Sequence, residues 1–92
     1  MNYEIEYTPE AESDIKKHIK SGNKKVLTKI DSLLDELRKH PTTGTGKPEI
    51  LKFYKTPTWS RRITDKHRLV YQIENEKVIV LVLSAWGHYS DK

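Results

Sequence analysis

The 92-residue chain contains no cysteine. That absence excludes disulfides, thiolate zinc sites and cysteine nucleophiles, and it suits a reducing compartment, so a cytoplasmic location is expected. Long hydrophobic runs are missing too. No stretch approaches the ~20 apolar residues of a membrane span, and Met1-Asn2-Tyr3-Glu4 lacks the basic-then-apolar pattern of a secretion signal. No membrane partner is expected. Glycine and proline number only four each, and neither a repeat nor a low-complexity tract is visible. With 35% apolar residues the core must be small, and a single domain over residues 1–92 is expected.

Negative charge is also scarce where positive charge is dense. Residues 47–68 hold seven Lys and Arg (Lys47, Lys52, Lys55, Arg61, Arg62, Lys66, Arg68) against Glu49 and Asp65, whereas residues 1–46 carry eight of each sign. Tyr54, Trp59 and Tyr71 lie in or beside that stretch. Cations mixed with flat aromatic faces are expected of a surface that tracks phosphates and stacks bases. Glu49 stands among them, where a purely electrostatic glove has no use for a carboxylate. Its plain reading is a surface ion pair with Lys47 or Lys52, worth at most ~1 kcal/mol.

Tyr3, Ile5 and Tyr7 alternate with polar residues, the period of a half-buried strand. Thr8-Pro9-Glu10 predicts an N-cap, a proline at the first helical position and an acid in the first turn. That helix carries Ala11, Ile15 and Ile19 four apart, which predicts its buried face, and it ends around Ser21-Gly22-Asn23. A second helix is predicted over 24–39, with Val26, Leu27, Ile30, Leu33, Leu34 and Leu37 at three- and four-residue spacing and Pro41 ending it. Pro41–Pro48 reads as a loop. Strands are predicted at 50–54, 59–63, 68–73 and 77–86, joined by tight turns. Residues 78–83 are apolar at both parities, predicting an inner strand covered on both sides. Arg61 and Arg62 are adjacent in a strand, so at most one of them joins any single site. The expected fold class is α+β, a mostly antiparallel sheet with an N-terminal helical hairpin packed on one face.

The inventory limits the chemistry. No G-x-S-x-G elbow occurs, and GTGKPE lacks the spacing of a P-loop. His18, His40, His67 and His88 are scattered without an H-E-x-x-H pattern, and a metal site built from His67, His88 and Glu49 is the weakest option. A metal-free acid/base site on a cationic floor remains, with no cofactor. RNA brings its own nucleophile, the 2′-hydroxyl beside each phosphate. Cleavage then needs a base (Glu49), cations for the phosphoryl charge (Arg68 with Arg62 and Lys52) and an acid for the departing 5′-oxygen (His88). The plain alternatives stand beside this: Arg68 bordering the sheet, His88 idle near the terminus, Trp59 and Trp86 as packing rather than stacking platforms. The residue types by themselves reach a cationic α+β domain directed at RNA, catalytic or not.

Four segments carry a resemblance: Gly46-Lys47-Pro48-Glu49 with Leu51-Lys52; Trp59-Ser60-Arg61-Arg62-Ile63; His67-Arg68-Leu69-Val70-Tyr71; and His88-Tyr89. In this order they resemble the YoeB/Txe toxins of the RelE superfamily. The resemblance implies a ribosome-dependent endoribonuclease that cuts mRNA in the A site. It implies Glu49 as general base, His88 as general acid and Arg68 as transition-state stabiliser. Lys52, Arg62 and Lys47 are then supporting cations, and Tyr89 is a substrate contact. The implied partners are a cognate antitoxin (YefM/Axe-like), the ribosome and mRNA, a second copy of the chain, and operator DNA only through the antitoxin complex. Two departures stand out. Trp86-Gly87 replaces a cation followed by tyrosine found in several relatives, and Ser90-Asp91-Lys92 follows the usual last tyrosine. The rival readings are a non-catalytic RNA- or ribosome-binding module and a DNA-binding co-repressor.

Overall fold

Thr8 starts the first helix and ties it to the sheet at once. Its hydroxyl accepts the Ala11 N–H (3.1 Å) and donates to the Leu83 carbonyl (2.8 Å). The computed structural model describes residues 2–52, 54–77 and 79–87. In it the chain runs β1 (Glu4–Tyr7), α1 (Pro9–Ser21), α2 (Lys24–Lys39), β2 (Glu49–Leu51), β3 (Thr58–Arg62), β4 (Arg68–Glu74) and β5 (Ile79–Ser84). Gly22 caps α1 in the left-handed region (φ 71°), and Asn23 accepts the Val26 N–H (3.2 Å) to begin α2. The two helices therefore fold back on each other through a turn of minimal length.

The five strands form one sheet in the order β1-β5-β4-β3-β2. Only β1 and β5 run parallel; the other pairs are antiparallel. The core joins Ala11, Val26, Ile30, Leu33, Leu34 and Leu37 from the helices to Leu69, Tyr71, Val80 and Val82 from the sheet. The helices thus cover one face, and the predicted α+β arrangement is the observed one. The leucine stripe of α2 packs inward as its spacing predicts, except Leu27, which is half-buried.

Two expectations are corrected. The buried residues of α1 are Ala11, Asp14 and His18, while Ile15 is half-buried and Ile19 is 57% exposed. The apolar β5 is an inner strand, but only Val80 and Val82 are fully buried; Ile79, Leu81 and Leu83 on the other parity are half-exposed. Their face carries no helix, so a covering layer is missing there. Two strands also start one residue earlier than predicted, β2 at Glu49 and β3 at Thr58.

Candidate active site

Residues opposite one another on neighbouring strands share a face of the sheet. Trp59 and Arg61 of β3 lie opposite Tyr71 and Leu69 of β4, facing the helices. Ser60 and Arg62 must then face away from them, opposite Val70 and Arg68. On the other side of β3, Glu49 of β2 pairs with Ser60 and joins that same face. The sheet therefore brings Glu49, Arg62 and Arg68 together on its helix-free side. Arg68 Nη1 donates to Glu49 Oε1 at 3.2 Å; the arginine side chain is 17% exposed and the carboxylate 61%. The surface pairing of Glu49 with Lys47 or Lys52 is not observed; its partner comes from β4.

Arg62 is half-exposed and lies 3.9 Å from the Asp65 carboxylate. Lys52 is exposed in the turn after β2, and Lys47 is exposed with a left-handed backbone (φ 50°) just before Pro48-Glu49. Lys47 and Lys52 thus flank Glu49 along the chain, and Arg62 lies opposite Arg68 across β3 and β4. His88 and Tyr89 lie outside the described residues, but the chain leading to them is placed: the Arg68 N–H donates to the Gly87 carbonyl at 3.1 Å. Ser60 Oγ, buried between Glu49 and Val70, has no hydrogen-bond partner. No group of three or more metal-ligating side chains occurs among the described residues.

Arg61, the other member of the adjacent pair, is fully buried and holds the loop that delivers Glu49. Its guanidinium donates to the carbonyls of His40, Thr43 (2.7 Å) and Thr45, to Glu36 Oε1 (2.8 Å), and through Nε to the Tyr71 hydroxyl (3.1 Å). Tyr71 in turn donates to the Pro41 carbonyl (2.7 Å). Burial raises the pKa of Tyr71, with Arg61 opposing, so the phenol stays protonated and able to donate. For Glu36, burial pushes the pKa up, but hydrogen bonds from Thr45 and the charge of Arg61 outweigh it and hold the carboxyl below its usual range. Gly46 completes the delivery, its carbonyl accepting the Arg62 N–H at 2.7 Å.

Sequence reasoning passed over Asp14 and His18, which sit buried on α1 against Ala85. Their spacing from Ala11 was the available signal. Trp86 packs against His18 and His67 (ring centroids 4.7 and 4.4 Å) and remains 42% exposed.

A family model described as "YoeB-like toxin of bacterial type II toxin-antitoxin system" matches residues 7–89. Among curated relatives, Toxin YoeB of Escherichia coli (strain K12) is 41% identical over 58 residues, 63% of this chain and 69% of that protein. Toxin YoeB of Streptomyces coelicolor is 38% identical over 72 residues, 78% and 83% of the two chains. The YoeB/ParE toxin from Agrobacterium tumefaciens superposes with a TM-score of 0.84 at 30% identity, covering 94% of this chain and 99% of that one. The YoeB dimer from Staphylococcus aureus gives 0.80 at 36%, covering 97% and 100%. A YoeB-YefM complex from Staphylococcus aureus gives 0.78 at 36%, covering 97% and 100%.

Proposed function

The chain belongs to the YoeB-like toxins of bacterial type II toxin–antitoxin systems, and we propose that it is a ribosome-dependent endoribonuclease cutting mRNA in the A site. Glu49 takes the proton of a 2′-hydroxyl, and the 2′-oxygen attacks the neighbouring phosphorus. The bond from phosphorus to the 5′-oxygen breaks, and His88 gives that oxygen its proton, leaving a 2′,3′-cyclic phosphate and a 5′-hydroxyl. Arg68, seconded by Arg62, Lys52 and Lys47, stabilises the charge on the phosphoryl oxygens, and Tyr89 contacts the substrate. DNA lacks the nucleophile and is spared.

The observation that carries this reading is the position of Arg68. Its side chain meets Glu49 at 3.2 Å, and its backbone N–H holds Gly87, the residue before His88, at 3.1 Å. Base, clamp and the approach to the acid meet at the start of β4. The Glu49–Arg68 pair also orients the guanidinium before substrate arrives, and a phosphate diester can then compete for its free donors. Orientation of this kind and electrostatic stabilisation are the terms expected to dominate. The partners are an antitoxin of the YefM type and a second copy of the chain, as in the Staphylococcus aureus structures.

Induction of Glu49→Gln, Arg68→Ala or His88→Gln is expected to relieve growth arrest while leaving the fold intact. With purified ribosomes, primer extension is expected to show new 5′ ends for the parent chain. Cleavage by each variant should fall by about 10²-fold or more. Arrest without new 5′ ends would instead point to a ribosome-blocking module, and full toxicity from folded Arg68→Ala removes the clamp.

A further inference from the structure

Asp14 and His18 are 5% and 1% exposed, and the chemistry above uses neither. A buried carboxylate or imidazole is costly unless its hydrogen bonds are made. Here both are spent on one residue. Asp14 Oδ2 accepts the Ala85 N–H at 3.0 Å, and His18 Nε2 meets the Ala85 carbonyl at 2.7 Å. A carbonyl only accepts, so that nitrogen carries the hydrogen. From the turn before β4, His67 Nδ1 accepts the Gly87 N–H at 2.9 Å, and the Arg68 N–H donates to the Gly87 carbonyl. An amide N–H only donates, so Nδ1 of His67 is bare and the proton of the neutral ring sits on Nε2. Between the two brackets Trp86 fills the gap, flanked by the His18 and His67 rings, which meet edge to face at 4.8 Å. Lys17 completes the surround, 5.5 Å from the indole and 3.8 Å from Asp14 Oδ1.

We propose that Asp14, His18 and His67 are positioning residues for RNA cleavage, clamping Ala85 and Gly87 from two sides and so fixing the backbone to which His88 is joined. Both backbone polar groups of each clamped residue are held, and the next Cα follows one ~3.8 Å peptide step later. Gly87 lies at φ 85°, a conformation that glycine adopts freely. The bulge between β4 and β5 at Val70/Tyr71 accompanies the turn of Ala85 towards α1. Trp86 thus anchors the segment by packing between the two imidazoles. The role rests on the reading of His88 as general acid, where a displacement of about 1 Å can cost ~10²-fold.

The test compares His67→Leu, which loses the acceptor, with His67→Asn, whose Oδ1 stands where Nδ1 was. Ribosome-stimulated cleavage, thermal unfolding and amide hydrogen exchange of Gly87 are measured on the full-length purified chain. We expect His67→Leu to lower kcat by roughly 10- to 100-fold with KM unchanged and to speed Gly87 exchange. His67→Asn is expected to restore most of both at the same melting temperature. If His67→Leu fails to fold, His18→Gln, whose amide can still donate to Ala85, against His18→Met carries the same comparison. Parent-like kcat in a folded His67→Leu, or equal losses in the Leu and Asn variants, overturns the clamp. Cleavage surviving in His88→Gln overturns the acid reading and the positioning role with it; an inactive His88→Gln beside a fully active His67→Leu overturns the clamp alone.

Discussion

A guanidinium with no exposed surface is expensive to desolvate, and Arg61 meets that cost with five acceptors spread over Glu36, Tyr71 and three loop carbonyls. Replacing it with methionine would strip the buried side of Glu36 of its counter-charge and the loop carbonyls of their guanidinium donor, leaving Glu36 only its Thr45 bonds. Arg61→Met is therefore expected to cost about 3 kcal/mol or more in urea denaturation. A loss near zero would mean the network is idle. Ser60 sits next to it with the opposite prospect. Its buried Oγ bonds to nothing, so Ser60→Ala is expected to be neutral or slightly stabilising in the same assay. The composition of this stretch flagged its cations, yet two neighbouring arginines with identical chemistry have opposite fates. Only the strand pleat, combined with which face the helices cover, separates them.

Among the elements, α2 was the most legible, since a stripe of leucines at helical spacing has a single way to bury itself. The face of α1 was not. At about 100° per residue a strict four-residue repeat drifts around the helix, so Ile19 ends ~80° from Ala11 while His18 returns to within ~20°. Leu33→Ala is accordingly expected to cost about 2–5 kcal/mol. Ile19→Ala should change stability by less than ~0.5 kcal/mol in the same denaturation series. The loop between α2 and β2 makes its own prediction. Gly44 has φ 119°, and an added Cβ there would run into the Glu36 carboxylate, with Arg61 Nη1 at 3.1 Å. Gly44→Ala is expected to loosen the delivery of Glu49, lowering cleavage on ribosomes while the melting transition stays cooperative. Unchanged activity would show that the loop does not govern the base.

For the whole molecule, the Glu36 carboxyl links loop, helix and sheet to acid. Its folded pKa is lowered, so its stabilisation is fully present above the ordinary carboxylate value, about 4.3, and is lost as pH falls through the folded value. The urea midpoint of the parent chain should drop more steeply below about pH 4 than that of Glu36→Gln. Parallel curves would remove Glu36 from the acid transition. At the other extreme, burial raises Tyr7 and Tyr71, so stability is expected to decline as pH climbs past about 10.

The order of elements, the helical hairpin, the α+β class and the cationic stretch were written in the sequence, because capping, periodicity and charge density are local properties. The pairing of Glu49 with Arg68, nineteen positions away, was not. Neither was the inward turn of Arg61, nor the meeting of Asp14 and His18 with Ala85, about seventy positions on. Those depend on strand register and on which face the helices cover, quantities that exist only once distant segments have paired.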